Sequence, residues 1–249
     1  MKLHFDEKPA IGMFMKTLDP AFVEIAGYSG MDFVILDMEH GHVNLTDMQN
    51  NVRAAQVSGS VPIIRVGKLC PQAISQALDI GAMGVQIPQI QDAEEARQAV
   101  KYAKFYPDGE RGICRFVRAA GYSSIEKGEY FKSANKDSLI ILQLEGTESI
   151  NNLDEILKIE GIDIIFIGPY DLSQSLGIPG EITNPKVMGA MKKIVERADK
   201  MNIKTGTFVD TLESLQLWKK AGVRYLAYSV DVGVFYEASK EIVKQFMSN

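Results

Sequence analysis

Short apolar runs alternate with amphipathic stretches from one end of the chain to the other. The runs cover residues 11–15, 33–36, 61–66, 84–88, 138–144, 163–167, 203–209 and 225–230. Runs of this length with little polar alternation fit strands buried on both faces. The segments between them carry helix signals. Asp19-Pro20 opens a helix, with Asp as N-cap and Pro at the first helical position. Asn44 or Thr46 caps a second helix, which ends near Ser58-Gly59. Residues 71–79 read as helical and stop at Ile80-Gly81. Asp92 starts a helix with Ala93, Ala96, Ala99, Val100 and Ala103 on roughly one face. A last helix is expected over about 234–246.

Residues 105–137 break this rhythm. They hold Gly109, Gly112, Gly121 and Gly128 among the basic residues Arg111, Arg115, Arg118 and Lys127. A connection this long in a compact domain is expected to serve function or assembly.

A helix is expected after each run. Eight such units in 249 residues, close to the roughly 250 of an eightfold barrel, predict an α/β fold, a closed (β/α)8 TIM barrel forming one domain over 1–249. The alternative is an open doubly wound sheet. It wants a glycine-rich phosphate loop after the first strand, and the stretch from Met13 to Leu18 is not one. In either fold, ligands bind at the carboxyl ends of the strands.

Composition removes several function classes. The net charge is −5 with both signs mixed along the chain, so no basic face points to nucleic acid. No apolar run nears 18 residues and the start shows no signal-peptide apolar region, so neither a membrane nor export is expected. Cys70 and Cys114 lie far apart and are expected as free thiols in a reducing cytoplasm.

The chemistry gathers where strands end. The second run passes straight into Asp37, Glu39 and His40. Buried charge is costly unless it is paired or bound to a metal. The third run ends near Arg65, the fourth carries Gln86, the fifth ends in Gln143 and Glu145, and Asp171 follows the sixth. Two carboxylates from different strands, Glu145 and Asp171, suit a hard divalent cation such as Mg²⁺ or Mn²⁺ and leave positions for water and a chelating substrate. Each residue also has a plain structural role open to it. Arg65 could be a salt-bridged arginine and His40 a satisfied structural histidine. Glu145 could complement a helix dipole and Asp171 could be an N-cap. Asp79 could be a helix-end turn residue, and Gly168-Pro169 simple turn chemistry. Their joint occurrence at successive strand ends favours a site. Phe208, ending the seventh run, is a candidate pocket wall. A Schiff-base mechanism needs a lysine at a strand's carboxyl end. Lys204 begins a strand and Lys68 lies beyond one, so that mechanism is not expected.

Several blocks, in order, resemble the HpcH/HpaI family of metal-dependent pyruvate aldolases. They are Asp37-Met38-Glu39-His40, Arg65-Val66, Leu78-Asp79-Ile80-Gly81-Ala82, Tyr106-Pro107-Asp108-Gly109-Glu110-Arg111-Gly112, Gln143-Leu144-Glu145, Asn152-Leu153-Asp154-Glu155-Ile156 and Phe166-Ile167-Gly168-Pro169-Tyr170-Asp171-Leu172-Ser173. The resemblance implies a barrel of the phosphoenolpyruvate/pyruvate-binding type, built as a trimer or hexamer whose last helix is exchanged between neighbours. It implies cleavage of 4-hydroxy-2-oxo acids, such as those of aromatic-compound catabolism, to pyruvate and an aldehyde. In that case Glu145 and Asp171 ligate Mg²⁺, Mn²⁺ or Co²⁺, with Gln143 beside them. Arg65 holds the keto oxygen, and His40 paired with Asp79 is the acid/base. Gly168, Pro169 and Tyr170 contact the pyruvate. The chain departs from the family's usual residues at Gly41-His42, Gln86, Gln89, Arg115 and Tyr170, which leaves the aldehyde partner open. A citrate-lyase-like acyl-CoA lyase, or an oxo-acid-binding barrel without turnover, are the alternatives.

Overall fold

A computed structural model describes residues 3, 5 and 8–248. Eight parallel strands pair in sequence order and close on themselves. They are β1 (Ala10–Met15), β2 (Phe33–Asp37), β3 (Val61–Arg65), β4 (Gly84–Ile87), β5 (Leu139–Leu144), β6 (Ile164–Ile167), β7 (Lys204–Val209) and β8 (Tyr225–Val230). The first four are followed by α1 (Pro20–Tyr28), α2 (Leu45–Ser58), α3 (Pro71–Asp79) and α4 (Ala93–Ala103). A further helix, α5 (Lys127–Asp137), precedes β5. Next come α6 (Thr147–Asn151) and α7 (Leu153–Ile156) before β6, and α8 (Pro169–Ser175) and α9 (Pro185–Lys200) before β7. The chain ends with α10 (Leu212–Lys220) and α11 (Asp231–Met247).

The predicted barrel is therefore present, with two adjustments. The expected break at 105–137 is partly helical, because α5 occupies its second half and a 3₁₀ turn forms at Arg118–Ser123. β5 and β6 are each followed by two helices rather than one.

Side chains alternate across each strand. Val34, Leu36, Ile64, Val85, Leu142 and Ile165 point outward into the layer beneath the helices. Phe14, Phe33, Ile35, Ile63, Ile141, Phe166 and Tyr225 fill the barrel interior. There the Tyr225 ring stacks on Phe33, with centroids 3.8 Å apart. Gly12 makes this possible, because a Cβ at that position would lie 2.4 Å from the Phe33 ring.

The same two-residue period decides what reaches the open end. Continuing inward from Phe33 and Ile35 gives Asp37; from Val61 and Ile63 it gives Arg65; from Ile141 it gives Gln143. The registers Asp37↔Arg65 and Arg65↔Gln86 set these side chains on adjacent strands. Among the described residues no helix is long and apolar enough to cross a membrane.

Candidate active site

A cavity of about 230 Å³ opens at the carboxyl ends of the strands. Its floor is Phe14, Arg65, Gln143 and Phe166, and its rim includes His40, Lys16, Asp171 and Val230. Gly168, Pro169, Tyr170 and Phe208 complete the wall. A larger cavity of about 500 Å³ lies beside α3, the 3₁₀ turn and α5, among Leu78, Arg111, Arg118 and Tyr130. Gln143 and Asp171 of the predicted site line the smaller one, and Glu145, though not part of its lining, accepts a hydrogen bond from Gln143.

Asp37 anchors one side. Its Oδ1 accepts from Arg65 Nε at 2.9 Å and from the backbone N–H groups of Glu39 and His40, and its Oδ2 accepts from Arg65 Nη2 at 2.8 Å. Burial alone would raise the Asp37 pKa. The Arg65 guanidinium and the two backbone donors outweigh it and hold the carboxyl below its ordinary value. Arg65 Nη1 also lies 2.8 Å from Glu39 Oε2, an ion pair by distance. The N–H groups are not aimed along it, so Oε2 is buried without a hydrogen bond. Burial raises the Glu39 pKa, opposed by Arg65 and His40. The Arg65 guanidinium rests over the Phe14 ring, 4.7 Å from its centroid.

Glu145 anchors the other side. A relay of amides fixes it: Gln86 Nε2 donates to Gln143 Oε1 at 2.6 Å, and Gln143 Nε2 donates to Glu145 Oε2 at 2.5 Å. The backbone N–H of Gln89 donates to Glu145 Oε1 at 3.1 Å, and its side chain donates to Glu39 Oε1. Gln89 holds a left-handed backbone, φ 58°, to make both contacts. Gln86 and Gln89 thus become supports of the acidic cluster.

Burial and the charges of Asp171 and Glu39 push Glu145 up to about 7, against the hydrogen bonds from Gln143 and Gln89. Asp171 is exposed in the first turn of α8, whose N-cap is Gly168, so it does not itself cap the helix. A Cβ on Gly168 would lie 2.7 Å from Glu145 Oε2 and 3.7 Å from Asp171 Oδ2. Both oxygens therefore border one small space.

That space suits a hard divalent ion. Its donors are carboxylate oxygens, and among the described residues the charge of Glu145 is met only by the neutral donors Gln89 and Gln143. Among the described residues no group of three or more His, Cys, Asp or Glu side chains forms a ligand set. The protein therefore offers two carboxylates, and water or substrate would fill the other positions.

Three expectations change. First, Asp79 does not meet His40 within the chain. It ends α3 and pairs with Arg111 Nη2 at 2.5 Å, because the connection before α5 folds back over that helix end. His40 is 60% exposed at the rim, with Nε2 3.9 Å from Glu39 Oε2. Second, a lysine does stand at a strand exit. Lys16 follows β1 and lines the cavity, which the inward series Gly12, Phe14 already indicates. Third, Arg115 and His42 are exposed and lie outside the cavity lining. Tyr170 does reach the wall. Its hydroxyl donates to Asp210 at 2.5 Å, and its ring packs edge-on to Phe208.

The family model "HpcH/HpaI aldolase/citrate lyase" matches residues 10–238. A hydroxypyruvate/pyruvate aldolase of Paraburkholderia phytofirmans is 32% identical, covering 96% of this chain and 94% of that protein. A 5-keto-4-deoxy-D-glucarate aldolase of Shigella boydii is 31% identical, covering 95% and 91%. The crystal structure of an HpcH/HpaI aldolase/citrate lyase family protein from Burkholderia cenocepacia superposes with a TM-score of 0.92 at 28% identity, covering 96% and 95%.

Proposed function

The chain belongs to the HpcH/HpaI aldolase/citrate lyase family and is a carbon–carbon lyase, and from that premise we propose a divalent-metal aldolase that splits 4-hydroxy-2-oxo acids into pyruvate and an aldehyde. One observation carries this reading. Two carboxylates, Glu145 and Asp171, flank Gly168, which lines the same cavity as the Arg65 guanidinium. The relatives named as aldolases, one of them for hydroxypyruvate and pyruvate, support it.

Glu145 and Asp171 would hold the metal, whose chemistry is Lewis-acid polarisation of the substrate's keto group. Arg65 binds the keto oxygen and stabilises the negative charge that grows there as the C3–C4 bond breaks. Two of its five N–H groups are spent on Asp37, which fixes the guanidinium plane before substrate arrives. Gln143, held by Gln86, orients Glu145. His40, at the rim, removes the proton from the C4 hydroxyl through a water and returns one to C3. Gly168, Pro169 and Tyr170 receive the pyruvate, and Phe208 faces the aldehyde end. Asp79 is a residue of the α3 end, and a role for it beside His40 requires a contact that one chain does not make.

The citrate-lyase-like alternative wants cations at the mouth for a CoA phosphate. Arg118, one candidate for that role, is instead bonded to Gln56 and the Ile80 carbonyl.

We also infer a homo-oligomer. α11 exposes Phe235, Ile242, Val243 and Phe246, each between 60% and 79%, and buries only Asp231. A contiguous apolar helix face of this kind marks a protein contact.

Incubation with pyruvate, a divalent ion and an aldehyde panel tests the activity. Condensation products that vanish with chelator are expected; turnover unaffected by chelator contradicts the metal.

A further inference from the structure

We propose that the larger cavity is a second binding site, and that its ligand is a small organic monoanion, a carboxylate carried on an apolar body. The proposal does not depend on the aldolase reading.

The cavity lies at the other end of the barrel. Ala82 and Met83 lead into β4, Ser138 leads into β5, and all three line it together with the end of α3. It therefore sits beside the amino ends of the strands, and it shares no lining residue with the candidate active site. Its volume, about 500 Å³, falls within the roughly 300–1,000 Å³ of small-molecule sites.

Two donors in its wall lack a partner. The Arg111 side chain is 1% exposed and pairs with Asp79 through Nη2. Its guanidinium lies over the Phe105 ring, yet its Nε is buried without a hydrogen bond. Tyr130 is 3% exposed, and its hydroxyl is buried without one as well. Burial outweighs the nearby Arg111 and raises the Tyr130 pKa, so the hydroxyl keeps its proton at neutral pH. Buried polar groups are rarely left unpaired. An acceptor bound in the cavity would supply the partner that both lack.

Arg118 makes that acceptor an anion. It donates to the Ile80 carbonyl and the Gln56 side chain, which are neutral and use two of its five N–H groups. Burial and the like charge of Arg53 act against its protonated form, and among the described residues no carboxylate offsets them. The other charges of the lining are met. Arg111 has Asp79. Asp137, the only carboxylate in the lining, favours the charged form of the buried Lys104. One positive charge is left over, which a monoanion balances and a dianion overcharges. Leu78, Met83 and Ile125 provide apolar wall for the rest of the ligand. Arg111, Arg118 and Tyr130 all belong to the connection over 105–137, none of which lines the candidate active site.

The test uses phenylacetate, its neutral analogue phenylacetamide and inorganic phosphate as probes of the full chain. Methyl NMR of labelled methionine reports on the site, because Met83 lines this cavity and no methionine lines the other. Phenylacetate is expected to shift the Met83 signal to saturation. Phenylacetamide and phosphate are expected to bind at least about tenfold more weakly, the scale of one hydrogen bond to a charged group. Arg118→Gln is expected to bring phenylacetate down to the level of phenylacetamide. Tyr130→Phe deletes a hydroxyl with no hydrogen-bond partner among the described residues. It should therefore melt no lower than wild type yet bind phenylacetate several-fold more weakly, and it carries the test if Arg118→Gln does not fold. The proposal is overturned by an unmoved Met83 signal at millimolar phenylacetate, or by equal binding of the amide or of phosphate. Wild-type affinity in Tyr130→Phe or in folded Arg118→Gln overturns it too.

Discussion

Asp37 and Arg65 face each other across β2 and β3 and close a two-point ion pair, 2.9 and 2.8 Å, with Asp37 fully buried. The pair does two jobs. It neutralises a carboxylate inside the barrel, and it holds the guanidinium flat under the cavity.

Removing one partner of a buried pair leaves the other uncompensated and costs about 3–5 kcal/mol. Asp37→Ala is therefore expected to lower stability by about 3 kcal/mol in urea denaturation and to abolish activity. Because the folded-state pKa of Asp37 is depressed, the unfolded chain takes up the proton first as pH falls. The pair's contribution is complete above the ordinary carboxylate pKa, about 4, and fades as pH drops through the lower folded value. The stability gap between wild type and Asp37→Ala should be flat near neutrality and narrow below about pH 4. A gap that does not narrow at all as the pH falls below about 4 contradicts the pairing.

Gln86 touches no proposed ligand directly, but it fixes the amide of Gln143, which in turn fixes Glu145. Removing the outer support of a metal ligand typically costs 10–100-fold in affinity. Gln86→Leu is expected to weaken Mn²⁺ binding by about that factor in calorimetry. It also deletes a buried oxygen with no partner, so the stability change should stay within about 1–2 kcal/mol. Unchanged affinity would break the proposed relay.

Gly168 is required by space rather than by backbone conformation, since its φ is −87°. An added methyl would meet Glu145 Oε2 at 2.7 Å and Glu145 Cβ at 3.3 Å. Gly168→Ala should fold normally yet lose at least about tenfold in metal affinity, because the carboxylate must swing aside. A variant with wild-type affinity would show that Glu145 does not need that position.

The exposed face of α11 predicts assembly. Wild type should be an oligomer by light scattering, and Phe235→Glu with Ile242→Glu should lower its mass. A monomeric wild type contradicts this.

The barrel was legible because parallel strands buried on both faces leave unmistakable apolar runs, and because the carboxylates of Glu145 and Asp171 interrupt them at the exits. Lys16 was legible in principle from the period of Gly12 and Phe14, but it sits one residue past the strand, where pattern alone no longer fixes direction. The partner of Asp79 was not legible. It depends on how the connection carrying Arg111 folds over the end of α3, a contact 32 residues apart in sequence. The roles of Gln86 and Gln89 were hidden for a related reason. An amide relay across β4 and β5 needs the strand register, and the contacts of Gln89 need a left-handed backbone that glutamine rarely adopts.

Formation of a pyruvate enolate at Glu145, Asp171 and Arg65 should require the metal. Its most direct test is the exchange of pyruvate methyl protons in D₂O, followed by NMR with Mn²⁺ present and then chelated. Exchange that requires the metal, and that is lost in Glu145→Ala together with Mn²⁺ binding by calorimetry, is the expected result. Absence of metal-dependent exchange in the wild type, or Glu145→Ala with undiminished Mn²⁺ affinity, would contradict it.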